Sequence, residues 1–353
     1  MIQHSKTTLD QADVQAVIDQ LQTGIVSDDE STRRFERAFS QYIDCLHASA
    51  MSSGTLALYV ALQAVGVQQN DFVIIPSYVC RDVLSAVRQL GAKPILADVN
   101  EYGHLTYESV AHVMQKGVKA IICVHLFGLP AEVELLLDFN IPVIEDCAHA
   151  IGATVNDKKV GSFGHVSVFS FHGIKMLACG EGGMVVTNNE SVWQKLQEYR
   201  NPDYHKEQYK LKFPLSGLLA ALGCSQLNKM DSMVMRRRRL ASHYNNAFAQ
   251  YPQLGTPTID YAKSVSSVYR YCLSLSLSKD TDMDDFITQM AEEGIVVRRP
   301  IIEPLHETLH LDKRNYPFSE QLYRNKISLP LYPLLTDEEQ IKIIEVVLRV
   351  LAA

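Results

Sequence analysis

Lys175 lies in a loop of small residues, at the end of the stretch Phe169-Ser-Phe-His-Gly-Ile-Lys175 and shortly before Gly180-Glu-Gly-Gly183. A lysine amine held among apolar groups and cations can form a Schiff base with a carbonyl compound. The glycines match neither the phosphate-binding loop of nucleoside triphosphatases nor the dinucleotide-binding fingerprint. Taken alone, this residue is more simply explained as an exposed surface lysine, so a catalytic role needs support from other segments.

The turn Ser53-Gly54-Thr55 precedes an apolar helical pattern at residues 56–64. Free backbone N–H groups, hydroxyls and the helix dipole at such a start can bind a phosphate group. A plain helix cap is the ordinary alternative, and by itself the more common one.

Asp146 follows Ile141-Pro-Val-Ile144, a run typical of a buried strand, and His149 comes three residues later. A carboxylate at this point would lie at the carboxyl edge of a sheet, where α/β proteins bind ligands, and pairing with a cation would keep it ionised. A loop acid that caps the next helix is an equally good reading. A single histidine such as His149 is more often structural.

The order of these features along the chain favours a common site. A helix start suited to phosphate comes first, then a strand-end acid, a strand that contains Ser170, and the lysine. A pyridoxal phosphate (PLP) enzyme needs a phosphate cradle, a partner for the pyridine nitrogen and an amine for the Schiff base. The combination therefore predicts PLP as the cofactor.

These residues must be positioned by an alternation of strands and helices. Helical patterns cover residues 10–22, 32–44, 56–64, 82–90 and 131–140, and short apolar strands cover residues 72–76, 94–99, 118–125, 141–146, 165–171 and 183–187. Such alternation predicts an α/β domain with a mostly parallel sheet.

The pattern changes after a long helical segment at residues 216–250, which is either one helix or a helix with a break. Beyond it we expect a strand at 266–277, a helix at 282–293 and a strand at 295–297. The last helix begins at Thr336-Asp-Glu-Glu339, which has the form of a capping box. We therefore expect a large PLP-binding domain at residues 1–236 and a smaller C-terminal domain at residues 237–353.

Composition narrows the class of protein. The net charge of −7 disfavours nucleic acid as a partner. The seven cysteines include no Cys-x-x-Cys pair, which is typical of a reducing cytoplasm and gives no indication of a metal site. The first residues carry no apolar signal region, and no uncharged apolar run reaches the length of a membrane span. We expect a cytoplasmic protein without a membrane segment.

From about Phe35 to the last helix, the sequence resembles the DegT/DnrJ/EryC1/StrS aminotransferases, fold-type I PLP enzymes that mostly act on nucleotide-linked keto-sugars. The most specific matching stretches are Pro142-Val-Ile-Glu-Asp-Cys-Ala-His-Ala150 and Phe169-Ser-Phe-His-Gly-Ile-Lys175. The resemblance implies a mostly parallel mixed sheet sandwiched by helices, a smaller α/β C-terminal domain, and a homodimer whose active sites lie between the two chains.

The resemblance also implies roles for individual residues. Lys175 would carry the cofactor, Asp146 would pair with the pyridine nitrogen, and His149 would lie against the ring. The implied phosphate ligands are Ser53, Gly54, Thr55 and Ser170. Residues expected to border the substrate are His172, Arg298 and His306, with Arg298 a candidate for binding an anionic group.

Three positions depart from the family pattern. In the stretch 210–215, Lys212 stands where an Asn usually reaches the partner's PLP phosphate, and a lysine could meet a phosphate there as a point charge. Cys80 replaces a frequent aromatic residue, so ring stacking would fall to Tyr78 or be lost. Ile174 replaces the Thr that usually precedes the lysine.

The expected reaction is transfer of an amino group from an amino acid, with glutamate the expected donor, to a keto-sugar that is nucleotide-linked. Lysine at position 175 favours amino transfer, because some sugar-dehydrating relatives have His there. A cyclitol or another small ketone as acceptor remains an alternative. So does a protein that binds PLP or a sugar as a sensor with little turnover.

Overall fold

The computed structural model describes residues 1–27, 30–200, 212–261, 263–276 and 282–352. Of the segments discussed above, residues 210 and 211 lie outside this description, as does residue 277 at the end of a predicted strand.

The helices in the described ranges are α1 (Gln11–Gln22), α2 (Glu30–Ile43), α3 (Gly54–Ala64), α4 (Arg81–Gln89), α5 (Tyr107–Val113), α6 (Val133–Leu137), α7 (Glu190–Arg200), α8 (Gly217–Asn228), α9 (Met230–Phe248), α10 (Met283–Glu292), α11 (Leu305–Thr308), α12 (Pro317–Asn325) and α13 (Asp337–Ala352). The strands are β1 (His47–Met51), β2 (Phe72–Pro76), β3 (Lys93–Ala97), β4 (Val118–Val124), β5 (Val143–Asp146), β6 (Thr154–Val155), β7 (Lys158–Lys159), β8 (Val166–Ser170), β9 (Gly183–Thr187), β10 (Leu254–Gly255), β11 (Asp260–Tyr261), β12 (Ser264–Val265), β13 (Tyr271–Leu275) and β14 (Lys326–Leu329).

A seven-stranded sheet with the order β1-β9-β8-β5-β4-β2-β3 forms the centre of the fold. The pairs from β8 to β3 are parallel, and β9 runs antiparallel to both of its neighbours. All four residues of β5 are buried, as expected for a strand covered on both faces. The predicted α/β fold with a mostly parallel mixed sheet is confirmed.

Several helix limits follow from local chemistry. The side chain of Ser53 caps α3 by accepting a hydrogen bond from the Leu56 amide, 3.2 Å away. At the start of α13, Thr336 and Glu339 exchange side-chain to backbone hydrogen bonds of 3.0 and 3.1 Å, as the capping-box motif predicts. The long helical segment predicted at residues 216–250 is the broken alternative, since it divides at Lys229 into α8 and α9.

A separate apolar cluster supports the predicted C-terminal domain. It joins Ile2 to buried residues between Leu240 and Val347 around the three-stranded sheet β10-β13-β14. Helix α9 crosses the predicted boundary between residues 236 and 237, so the division itself stays a prediction. The strand predicted at 295–297 makes only a single bridge, between Ile2 and Ile295.

None of the helices in the described ranges combines the length and apolar character needed to span a bilayer.

Candidate active site

A cavity of about 400 Å³ opens where β1, β2, β5 and β8 end. These strand ends share one edge of the sheet, because the strands run in the same direction. The cavity is lined by eight of the residues singled out in the sequence: Ser53, Gly54, Thr55, Asp146, His149, Ser170, His172 and Lys175. Segments that are far apart in the sequence therefore meet at one site.

The start of α3 lies directly against the end of β8. A Cβ atom on Gly54 would come within 2.7 Å of the Ser170 Cβ and 2.9 Å of its Oγ, distances that real Cβ atoms do not reach. Gly54 is therefore required for this close approach. The free N–H groups of the helix start and the Ser170 hydroxyl consequently converge on one wall of the cavity.

Asp146 ends β5 with its carboxylate at the cavity wall. Its Oδ1 accepts a hydrogen bond from the Ala148 amide at 3.0 Å, and only 6% of the residue is exposed. Burial raises the pKa of this carboxyl group, whereas the Ala148 amide and Lys175 lower it. No basic side chain of the described residues forms an ion pair with Asp146 within 4 Å. Asp146 is thus a buried acid suited to a cationic ligand group.

A second acid fixes the end of β5. Glu145 is fully buried and accepts hydrogen bonds from His125, 3.0 Å away, and from the amides of Gly161 and Phe163, 2.8 and 2.7 Å away. Although burial raises the pKa of Glu145, the hydrogen bonds from His125 and from the amides of Gly164 and Gly161 hold it below its usual value. This network anchors the strand, so that the adjacent Asp146 is held at the cavity.

Lys175 follows β8 in a loop closed by backbone hydrogen bonds. Its amide donates to the His172 carbonyl at 2.8 Å, and the Gly173 amide donates to the Gly180 carbonyl at 2.8 Å. The Lys175 Nζ lies 5.2 Å from the centre of the Tyr269 ring. The amine thus faces the cavity against an aromatic wall.

The ring of His149 lies nearly parallel to two aromatic rings. The Tyr269 ring lies 4.3 Å away at an interplanar angle of 20°, and the Phe127 ring lies 6.0 Å away. Burial, with smaller contributions from Lys175 and Arg270, lowers the pKa of His149 well below its usual value. His149 therefore presents a neutral ring at the cavity wall.

Four predicted residues do not line the cavity. Tyr78 is fully buried, with its ring edge-on to Phe127, and the neighbouring Cys80 reaches the cavity instead. Lys212 is exposed. Arg298 is also exposed, and its backbone pairs with Ser328.

The fourth residue, His306, is fully buried beneath the segment that ends β2. Its Nδ1 lies 2.6 Å from Ser77 Oγ, and its Nε2 lies 3.1 Å from Glu320 Oε1. Its ring also stacks on that of Tyr316, 4.7 Å away. The contacts of His306 are therefore with the protein interior.

The cavity fits PLP by the chemistry of its donors. The close approach of Gly54 to Ser170, which a Cβ would block, brings the helix start and the Ser170 side chain together at the cavity. A buried carboxylate without a cationic partner among the described residues suits the protonated pyridine nitrogen. The amine of Lys175 opens into the same cavity as both.

Comparison with known proteins also supports PLP as the cofactor. Residues 7–348 match the model of the DegT/DnrJ/EryC1/StrS aminotransferase family. The chain belongs to this family.

Among its relatives is the GDP-perosamine synthase of Vibrio cholerae, 33% identical over 324 residues that cover 87% of each chain. The GDP-perosamine synthase of Escherichia coli O157:H7 is 30% identical over 92% of this chain and 91% of that one. The solved aminotransferase from Psychrobacter cryohalolentis is 29% identical, covers 98% of both chains and superposes with a TM-score of 0.92. This member of the DegT/DnrJ/EryC1/StrS family is a PLP-dependent aminotransferase, as the sequence predicts.

The structure adds cavity residues that the sequence did not indicate. Asp82 at the start of α4 and Glu181 line the cavity, as do Tyr269 and Arg270 just before β13. Asp82 follows a predicted strand closely, so its position after β2 was a usable signal. Tyr269 and Arg270 precede a strand of a different sheet, and no local pattern marks them.

Proposed function

We propose that this enzyme transfers an amino group from an amino acid, with glutamate as the donor, to a nucleotide-linked keto-sugar. The convergence of Lys175, Asp146 and the start of α3 in one cavity carries the proposal. Two relatives named GDP-perosamine synthase support a nucleotide-linked sugar as the acceptor.

PLP supplies the aldehyde that exchanges amino groups and a ring that withdraws electrons from the substrate's Cα. The protein has to hold that ring and manage the protons. Lys175 Nζ would bind the cofactor covalently at rest. Once displaced by the incoming amine, the same Nζ would take the proton from the substrate's Cα and return it to the cofactor.

Asp146 would keep the pyridine nitrogen protonated. Its carboxylate is costly to ionise in isolation because of burial, and a cation beside it would offset that cost. The Glu145 network would hold Asp146 in place. At the other end of the site, Ser53, Gly54, Thr55 and Ser170 would bind the phosphate through hydroxyls and the backbone N–H groups of the helix start.

The neutral ring of His149 would pack against the cofactor ring. The Tyr269 ring stacks on His149 at 4.3 Å and helps to fix its orientation, and the Phe127 ring lies nearly parallel to it at 6.0 Å. Cys80 reaches the cavity where many relatives have an aromatic residue, and Tyr78 is turned into the interior, so we infer that stacking falls to His149 and Tyr269. We retain His172 as a substrate contact, since it is exposed at the cavity and lies 3.6 Å from Glu181.

We further propose a cytoplasmic homodimer with shared active sites, and retain Lys212 as the residue that reaches the partner's phosphate site. The exposed position of Lys212 in the monomer supports a contact with a second chain. All seven cysteines are free thiols, which supports a reducing compartment.

The experiment that tests the reaction follows the two half-reactions separately. Glutamate added to the PLP-loaded enzyme should shift its absorbance to that of pyridoxamine phosphate and release 2-oxoglutarate. Nucleotide-linked keto-hexoses should then reverse the shift, whereas a cyclitol ketone should not. A protein that binds PLP but shows no shift with any amino acid would be a binder rather than a transferase.

Mixing two inactive variants tests the shared site. If Lys212 acts across the interface, Lys175→Ala and Lys212→Ala chains should each be impaired alone. Reassembled together, they should recover about a quarter of wild-type activity, because half of the dimers carry one intact site. No recovery on mixing would place Lys212 in its own chain's site, or in none.

A further inference from the structure

Arg270 provides the cavity with a cation that the reaction steps above leave unused. Among the described residues, the basic side chains that line the cavity besides the histidines His149 and His172 are Lys175 and Arg270. Lys175 is assigned to the covalent link with the cofactor and to proton transfer, so its amine is not permanently charged. His172 has a carboxylate neighbour in Glu181. Arg270 is therefore the permanent positive charge that remains for a ligand.

The guanidinium of Arg270 is only partly satisfied by the protein. Its Nη1 donates to the Pro300 carbonyl at 2.9 Å, and its buried Nε has no hydrogen-bond partner. No carboxylate of the described residues forms an ion pair with it within 4 Å, although Asp82 and Glu181 line the same cavity. Guanidinium groups bind carboxylates in a planar geometry, so an incoming carboxylate would supply the ionic partner that the part of Arg270 exposed at the cavity lacks.

The position of Arg270 indicates which carboxylate group of a substrate it would bind. Its Cζ lies 5.4 Å from the centre of the Tyr269 ring, and Lys175 Nζ lies 5.2 Å from the same point. The two cations are thus separated by no more than the sum of these distances. In an amino acid the α-carboxylate is attached to the carbon that bears the reacting amine, so its anchor has to lie close to Lys175. The diphosphate of a sugar nucleotide lies beyond the sugar ring, farther from the reacting carbon.

We propose that Arg270 binds the α-carboxylate of the amino donor and thereby sets the requirement for an α-amino acid. This inference rests on the proposed amino transfer. It assigns to Arg270 the anion-binding role that the sequence suggested for Arg298, which is exposed and does not line the cavity.

The test measures binding separately from turnover, in the PLP-loaded enzyme. The probes are 2-methylglutamate, which lacks the Cα hydrogen and cannot complete the transfer, and 4-aminobutyrate, which is glutamate without its α-carboxylate. Calorimetry should show that Arg270→Gln weakens 2-methylglutamate binding about 10- to 100-fold, the loss expected for a hydrogen-bonded charge pair. The affinity for 4-aminobutyrate should change less than about twofold, since it lacks the group that Arg270 binds.

Two further variants keep the result interpretable. Arg298→Gln is the matched control and should leave both affinities unchanged. Arg270→Lys keeps the charge but loses the planar fork, so it should weaken 2-methylglutamate more than 4-aminobutyrate even if Arg270→Gln does not fold. Equal weakening of the two probes would mean a structural role and would overturn the inference. Unchanged affinity for 2-methylglutamate, or a loss confined to the keto-sugar, would overturn it as well.

Wild-type enzyme that converts no amino acid would overturn the proposed function together with this inference. Wild-type enzyme that converts glutamate, combined with an Arg270→Gln variant that binds both probes normally, would overturn the inference alone.

Discussion

The close contact between Gly54 and Ser170 makes Gly54→Ala a sharp test of the phosphate cradle. A Cβ at position 54 would lie 2.7 Å from Ser170 Cβ, 2.9 Å from its Oγ and 3.2 Å from its Cα. Since part of the obstacle is backbone, rotation of one side chain cannot relieve it. Either the start of α3 or the end of β8 has to move.

The sign of the change in unfolding free energy shows whether position 54 is crowded. At an unhindered first position of a helix, Gly→Ala stabilises by about 0.4–1 kcal/mol through the unfolded chain. Overpacking costs about 1–3 kcal/mol, so we expect the variant to lose about 1–2 kcal/mol of unfolding free energy. Because relief of this clash displaces the helix start or Ser170, both of which are proposed to bind the phosphate, the dissociation constant for PLP should rise about 10- to 100-fold.

Urea unfolding of the cofactor-free protein measures the first effect, and fluorescence titration with PLP measures the second. Gly173→Ala is the control in the neighbouring loop, since its nearest atoms would be 3.8 Å from an added Cβ, and it should be stable to within about 0.5 kcal/mol. Ser170→Gly combined with Gly54→Ala should recover about 1 kcal/mol relative to additivity. A Gly54→Ala variant with wild-type stability and PLP affinity would refute the proposed cradle.

Two further predictions concern buried titratable groups. Because burial raises the pKa of Asp146, the native cofactor-free protein binds more protons than the unfolded chain, and its stability should fall as pH rises above the usual carboxyl range. Asp146→Asn should flatten this decline in urea unfolding between pH 4 and 8, while weakening PLP binding; an unchanged decline would contradict the assignment. His306→Gln should lower the unfolding free energy by about 1–3 kcal/mol through its contacts to Ser77 and Glu320, with unchanged keto-sugar affinity. Selective loss of that affinity at full stability would instead support the substrate-binding role suggested by the sequence.

The predicted residues that line the cavity mostly follow strands of the central sheet. Asp146, Ser170 and Lys175 come at or just after strand ends, and the carboxyl ends of parallel strands share one edge. Alternation of apolar runs was enough to predict those strands. Strand β1 was missed, because His-Ala-Ser-Ala-Met carries little strand propensity and pairs with β9 only in the folded sheet.

Other features depend on contacts between distant segments. Arg270 and Tyr269 reach the cavity because the segment before β13 is hydrogen-bonded to the loop after β4, with the Tyr269 amide donating to the Phe127 carbonyl at 3.0 Å, a contact that no local periodicity encodes. The break between α8 and α9 lies at Lys229, whose Nζ pairs with Asp10 and Asp13 at 2.8 and 2.6 Å. Helical periodicity continues across this residue, so the sequence pattern left open whether and where the helix breaks.

The position of the covalent link to PLP tests the central claim most directly. The PLP-loaded enzyme would be reduced with borohydride, digested and analysed by mass spectrometry, with Lys175→Ala as the control. We predict a pyridoxyl label on Lys175 that is absent after treatment with glutamate and absent from the variant. A label on a different lysine, or a Lys175→Ala variant with wild-type transfer activity, would contradict the account.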